Sequence, residues 1–158
     1  LTHGKNGLTA EAGFKDQAEV LVHTRLAATV VGATTMDRPE WVAVHPTQAQ
    51  VYVTLTNNND RGTKPNQAVN GPNPRAKNVY GQIVRWTPKG NDHTATQFTW
   101  DIFALAGNPT LHKDAYGGSA NITADNMFNS PDGLAFDRDG RLSQTFSTAQ
   151  FGMRQCSR

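Results

Sequence analysis

Apolar and polar positions follow two patterns along the chain. Between Asp16 and Gly32 the apolar residues Ala18, Leu21, Val22 and Leu26 recur at near-helical spacing, which predicts one amphipathic helix over about 16–31. Asp16 is placed to cap its first turn, Glu19 to reach back three residues later, and Gly32 to stop it in a left-handed conformation. The apolar stripe predicts a helix that packs on something larger.

From Trp41 onward the pattern changes to short strands between turn clusters. Trp41–Val44 and Val51–Leu55 flank the turn HPTQAQ, and Val79–Trp86, Gln97–Ala104 and Leu134–Phe136 read as further strands between clusters of Pro, Gly, Asn and Asp. The three Trp residues, Trp41, Trp86 and Trp100, read as core aromatics. Two long polar stretches, Asn57–Asn78 and Gly107–Asn129, break the strand pattern. Loops of that length inside a compact domain are functional or disordered, and Arg75 and Asn78 are expected on a solvated loop.

One repeat organises the strands. Arg38–Val53 and Ser130–Leu142 share a proline, an acid, a short strand, a turn and the start of a second strand, so Glu40 and Asp132 hold equivalent places, 92 positions apart. That interval fits propeller blades with one blade between, or one blade with a long insertion. The fold expected is therefore all-β, a partial β-propeller with one N-terminal helix in a single domain over 1–158, its units at 38–56, 79–104 and 130–146. About two blades cannot close a ring, so activity of the isolated chain is not expected.

In a propeller, acids at the starts of innermost strands converge at one mouth of the channel. Convergent carboxylates repel unless a cation neutralises them, and an oxygen-rich site suits calcium. The plainer alternative for Glu40 and Asp132 is capping of backbone N–H groups at a strand start. Arg38 has two readings as well, an ion pair with Glu40 or Asp37, or an anion contact beside a cation site. Asp137, Asp139 and Gly140 read as a hairpin turn rather than ligands.

Composition narrows the classes. The 158 residues are 37% apolar and 18% charged, with a net charge of +2 and no basic run, which gives no footprint for nucleic acid or a membrane surface. No stretch is long and apolar enough to span a bilayer, and LTHGKNGLTA lacks the order of a signal peptide. The single cysteine, Cys156, reads as an incidental thiol, and the five histidines show no zinc spacing. Motifs for nucleotide phosphates or a nucleophile elbow are absent.

Four ordered motifs carry a family likeness. MDRPEWVAVHP at Met36–Pro46 with VYVTLTNN at Val51–Asn58, NPRAKNVYGQIVRW at Asn73–Trp86 and SPDGLAFDRDGRL at Ser130–Leu142 resemble the C-terminal half of the PhoX-type calcium-dependent alkaline phosphatases, and LTAEAGFKDQAEVLVHTRLAA resembles the stretch upstream. The resemblance covers about residues 8–142. It implies a six-bladed propeller, secreted or periplasmic, that hydrolyses phosphate monoesters with Ca2+ and Fe3+ at the channel mouth. It assigns Glu40 and Asp132 as calcium ligands and Arg38 as a phosphate contact. Metal ions clamp phosphoryl oxygens in such chemistry, and a guanidinium fork neutralises developing charge. The family's iron ligands, a cysteine and further glutamates, have no matching motif in this chain. Gln82 stands where histidine is common, and the tail after Leu142 diverges. The rival expectations are a non-catalytic propeller that binds a partner and a calcium-dependent lactonase-like propeller. The number of subunits is left open.

Overall fold

A computed structural model describes residues 1–146, so Cys156 and the end of the divergent tail lie outside the described residues. The chain forms two compact units, Leu1–Thr35 and Met36–Arg158, each taken by itself below.

In the first unit the expected single helix is broken in two, α1 over Gln17–Val22 and α2 over Thr24–Val30. Asp16 caps α1 as expected, accepting from the Glu19 N–H at 2.9 Å, but the Glu19 carboxylate reaches the N–H of Lys15 rather than that of Asp16. The break follows from Thr24, whose hydroxyl bonds the carbonyls of Leu21 (2.5 Å) and Val20 (3.3 Å) and so competes with the helical ladder. α2 then closes on Gly32 at φ +67°, with Gly32 N–H bonded to Thr29 and Ala33 N–H to Ala28, a Schellman ending. The break also resets the helical phase, which corrects the expected apolar stripe. Ala18, Leu21, Val22 and Leu26 are exposed, while Val20 and Ala27 are buried with Leu8 and Phe14.

The second unit is antiparallel β. Strands β1 (Pro39–Val44), β2 (Val51–Leu55), β3 (Gln82–Pro88) and β4 (Phe98–Leu105) form one four-stranded meander in chain order, and β5 (Pro131–Phe136) pairs with β6 (Leu142–Phe146). The segments 38–56 and 79–104 thus share one sheet through β2 and β3, and the 92 positions between the repeats hold one sheet with long insertions.

The meander is apolar on both faces. On one face Tyr52, Ile83 and Ala104 pack with Leu134 of β5 and with Tyr80, Ala106 and Phe128, and the Tyr52 ring meets Phe136 edge-on at 5.0 Å. On the other face Val53, Leu55 and Val84 are buried, with the partly buried Met36 and Trp86 packed against them. The register puts Val42, Val44 and Trp100 on that second face too, and they are exposed. Of the three tryptophans only Trp86 joins a core. Trp41 and Trp100 are about half exposed because β1 and β4 are the edges of the sheet.

The loop after β2 is folded, not solvated, which corrects the expectation for Arg75 and Asn78. Both are buried, as are Arg61 and Asn73. Arg75 donates to the carbonyls of Ala106 (2.6 Å), Ala115 (3.1 Å) and Gly81, closing the loop over the ends of β3 and β4. Burial lowers its pKa to about 10, still well above neutrality, so the guanidinium remains a cation held by carbonyl dipoles. Gly81 makes the close approach possible. It has φ +81°, and a Cβ there would lie 2.0 Å from the Thr56 carbonyl oxygen.

Candidate active site

The two repeats share geometry as well as sequence. In each, the residue before the proline is non-glycine and left-handed, Arg38 at φ +48° and Ser130 at φ +45°. In each the pairing register then shifts just past the proline, between Pro39 and Val42 in β1 and between Pro131 and Leu134 in β5. In each the N–H two residues after the proline donates to a threonine hydroxyl on the partner strand, Trp41 to Thr54 at 3.0 Å and Gly133 to Thr145 at 2.8 Å. Left-handed non-glycine residues cost about 1–3 kcal/mol and persist only where the surroundings over-determine them. Bulges next to functional groups re-aim side chains in the same way.

The end of β2 joins the two repeats. Thr54, fully buried, accepts from Trp41 N–H and donates to the Asp132 carbonyl at 2.8 Å. Thr56 donates its hydroxyl to the Pro131 carbonyl at 2.9 Å and its N–H to the Arg38 carbonyl at 3.2 Å. Asn57 accepts from Arg38 Nη1 at 2.8 Å and donates to Ser130 Oγ at 3.3 Å. One hydroxyl therefore lies between the backbone that follows Glu40 and the backbone of Asp132. The structure brings the two acid-bearing segments together on one side of β2.

Arg38 lies beside Glu40, with Nη2 3.6 Å from Oε1, and both side chains remain open to solvent. Asp37 does not pair with Arg38. It is fully buried and accepts from Arg61 Nε at 2.7 Å, Asn58 Nδ2 at 3.0 Å and Asn78 Nδ2 at 2.9 Å, while its own N–H donates to Asn73 at 2.8 Å. Three donors from the folded loop thus hold the residue before Arg38, which explains how the left-handed turn is maintained. Gln82 belongs to the same layer, accepting from Asn78 at 2.5 Å and donating to the Pro72 carbonyl at 2.7 Å.

Calcium and iron are the metals that the resemblance implies. The Glu40 carboxylate lies beside Arg38 and the Asp132 backbone meets Thr54, and among the described residues no group of three or more His, Cys, Asp or Glu side chains comes together. Calcium takes six to eight oxygens, so Glu40 and Asp132 fit a share of such a site. Iron held by a cysteine finds no such ligand among the described residues.

The other candidates resolve as turns and packing. Asp137 Oδ1 accepts from the N–H groups of Asp139 (2.9 Å) and Arg141 (2.8 Å), and Gly140 takes φ +79°, so this is the hairpin turn expected. The backbone bonds hold the Asp137 carboxyl below its ordinary pKa. His45 accepts from Thr47 and Gln48 N–H at its turn, and His112 Nε2 lies 2.9 Å from the Tyr80 hydroxyl. Sequence reasoning missed Thr54, Asn57 and Ser130. The serine had a legible signal, its place before Pro131 matching that of Arg38 before Pro39.

The family model described as alkaline phosphatase PhoX matches residues 1–147. A solved structure, Pseudomonas fluorescens PhoX in complex with vanadate, a transition state analogue, is 59% identical and superposes with a TM-score of 0.89 over 96% of this chain. This chain spans 27% of that one. Among curated proteins none matches.

Proposed function

Because the chain belongs to the PhoX alkaline phosphatase family, we propose that it forms part of the active site of a phosphomonoesterase, with Glu40 and Asp132 holding calcium and Arg38 contacting substrate phosphate. The observation that carries this reading is the meeting of the two Pro-acid repeats at Thr54, beside an open guanidinium. The vanadate bound by the 59% identical relative supports a phosphoryl-transfer site.

In this reading the reaction adds water to a phosphate monoester, breaks the ester P–O bond and releases an alcohol and inorganic phosphate. The chain's own residues bind and orient. Arg38 offers a two-pronged donor to two phosphate oxygens, and its charge offsets what develops on them. Glu40 and Asp132 supply carboxylate oxygens that compensate cation charge and fix its place relative to Arg38. Bound calcium would neutralise phosphate charge and orient the reacting oxygens. The iron of the reading takes its ligands largely from outside this chain.

The wider architecture belongs to the same proposal. A six-bladed propeller is supported by the four-stranded meander with two apolar faces, one covered by β5 and the other carrying exposed Val42, Val44 and Trp100. The same proposal puts the protein in the periplasm or outside the cell, where a weak calcium site suffices.

Hydrolysis of p-nitrophenyl phosphate by the full-length protein is the test, with a lactone as the competing substrate. We expect phosphate release that falls at least about 100-fold in Arg38→Ala. Lactone hydrolysis without phosphate release would support the lactonase-like reading, and neither activity the non-catalytic one.

A further inference from the structure

Asn57 occupies a place that the proposed chemistry does not explain. Its side chain lies between the two repeats, with Oδ1 accepting from Arg38 Nη1 at 2.8 Å and Nδ2 donating to Ser130 Oγ at 3.3 Å. Ser130 is the left-handed residue that opens the Pro131–Asp132 segment, as Arg38 opens Pro39–Glu40. An amide is the side chain that can serve both neighbours, since it carries an acceptor and a donor. An aspartate would also accept from Arg38 but would cancel its charge, and an anion site needs that charge.

Arg38 needs such a tether. Its side chain is 59% exposed, and a long exposed arginine keeps its rotamer freedom unless something fixes it. Its other terminal nitrogen is 3.6 Å from Glu40, a loose ion pair in solvent that orients weakly. The bond to the Asn57 amide is the short one, and Asn57 is itself anchored at the end of β2 beside Thr56, which bonds both repeats.

We infer that Asn57 is a positioning residue, aligning the Arg38 guanidinium with the Asp132 segment so that a phosphate group meets a preset donor pair. The inference rests on the phosphate-contact reading of Arg38. Asn57 acts through Arg38 and touches no substrate.

A double-mutant cycle in the full-length protein tests it, read as competitive inhibition by inorganic phosphate and as kcat/KM for p-nitrophenyl phosphate, with thermal unfolding as the control. Asn57→Ala is expected to raise the inhibition constant and lower kcat/KM about tenfold, the size of one lost charged hydrogen bond, with the unfolding temperature nearly unchanged. Asn57→Ser, too short to reach either neighbour, is expected to do the same and stands in if the alanine variant folds poorly. In the Arg38→Ala background either change is expected to add less than about twofold. A full effect of Asn57→Ala in both backgrounds would overturn the inference while leaving Arg38 as the phosphate contact. Unchanged phosphate inhibition in Arg38→Ala alone would overturn the phosphate-contact reading, and this inference with it.

Discussion

The residues around the site divide into a buried polar layer and the open groups it carries. Asp37 and Arg61 are both fully buried and paired at 2.7 Å, so removing one strands the other charge. Asp37→Ala is expected to destabilise the full-length protein by about 3–5 kcal/mol, read from its chemical denaturation midpoint, and to release the turn at Arg38. Tyr80 gives a pH expectation. Burial raises its phenol pKa, so the folded state keeps the proton after the unfolded chain begins to lose it near pH 10. Its contribution to stability is whole below that pH and declines as pH rises toward the folded value. Thermal unfolding between pH 9 and 11 should therefore show a decline that Tyr80→Phe reduces. At this scale the repeat made the matched places of Glu40 and Asp132 legible, and the structure gives the two segments the same left-handed turn and register shift. The sequence hid Asp37, Arg75 and Asn78, because a loop rich in Asn, Gly and Pro reads as solvated unless its long-range partners are known.

At the scale of elements, Thr54 and Gly81 mark where β2 meets its neighbours. The Thr54 hydroxyl links β1, β2 and β5 through bonds of 3.0 and 2.8 Å, and valine keeps its shape without the polar atom. Thr54→Val removes the partner of the Trp41 N–H and of the Asp132 carbonyl, both part-buried, with an expected loss of about 1–3 kcal/mol and a looser β5 by hydrogen exchange at Asp132 and Gly133. Gly81→Ala puts a methyl 2.0 Å from the Thr56 carbonyl at a left-handed residue, and is expected to prevent soluble expression or to lower the unfolding temperature sharply. Strand existence was readable from short runs bounded by turn residues, and β2 matches its expected bounds of Val51–Leu55. The single helix was not, because its break depends on one threonine hydroxyl and apolar spacing carries no signal for that. Nor did spacing distinguish the tryptophan that enters a core from the two on edge strands.

For the whole molecule, the sheet of the second unit has two apolar faces, and the proposed site has Glu40 and Asp132 on segments that meet at Thr54. The face bearing Val42, Val44 and Trp100 is expected to bind a hydrophobic dye in the isolated chain and to lose that binding in the full-length protein. The central claim is that Glu40 and Asp132 hold one cation for phosphate chemistry. Its most direct measurement is the calcium dependence of p-nitrophenyl phosphate hydrolysis by the full-length protein and by Glu40→Gln and Asp132→Asn. If the claim holds, each variant needs at least about tenfold more calcium for half-maximal rate and turns over at least about 100-fold more slowly, with its unfolding in calcium-free buffer unchanged. Wild-type rates at wild-type calcium levels in both variants would contradict it.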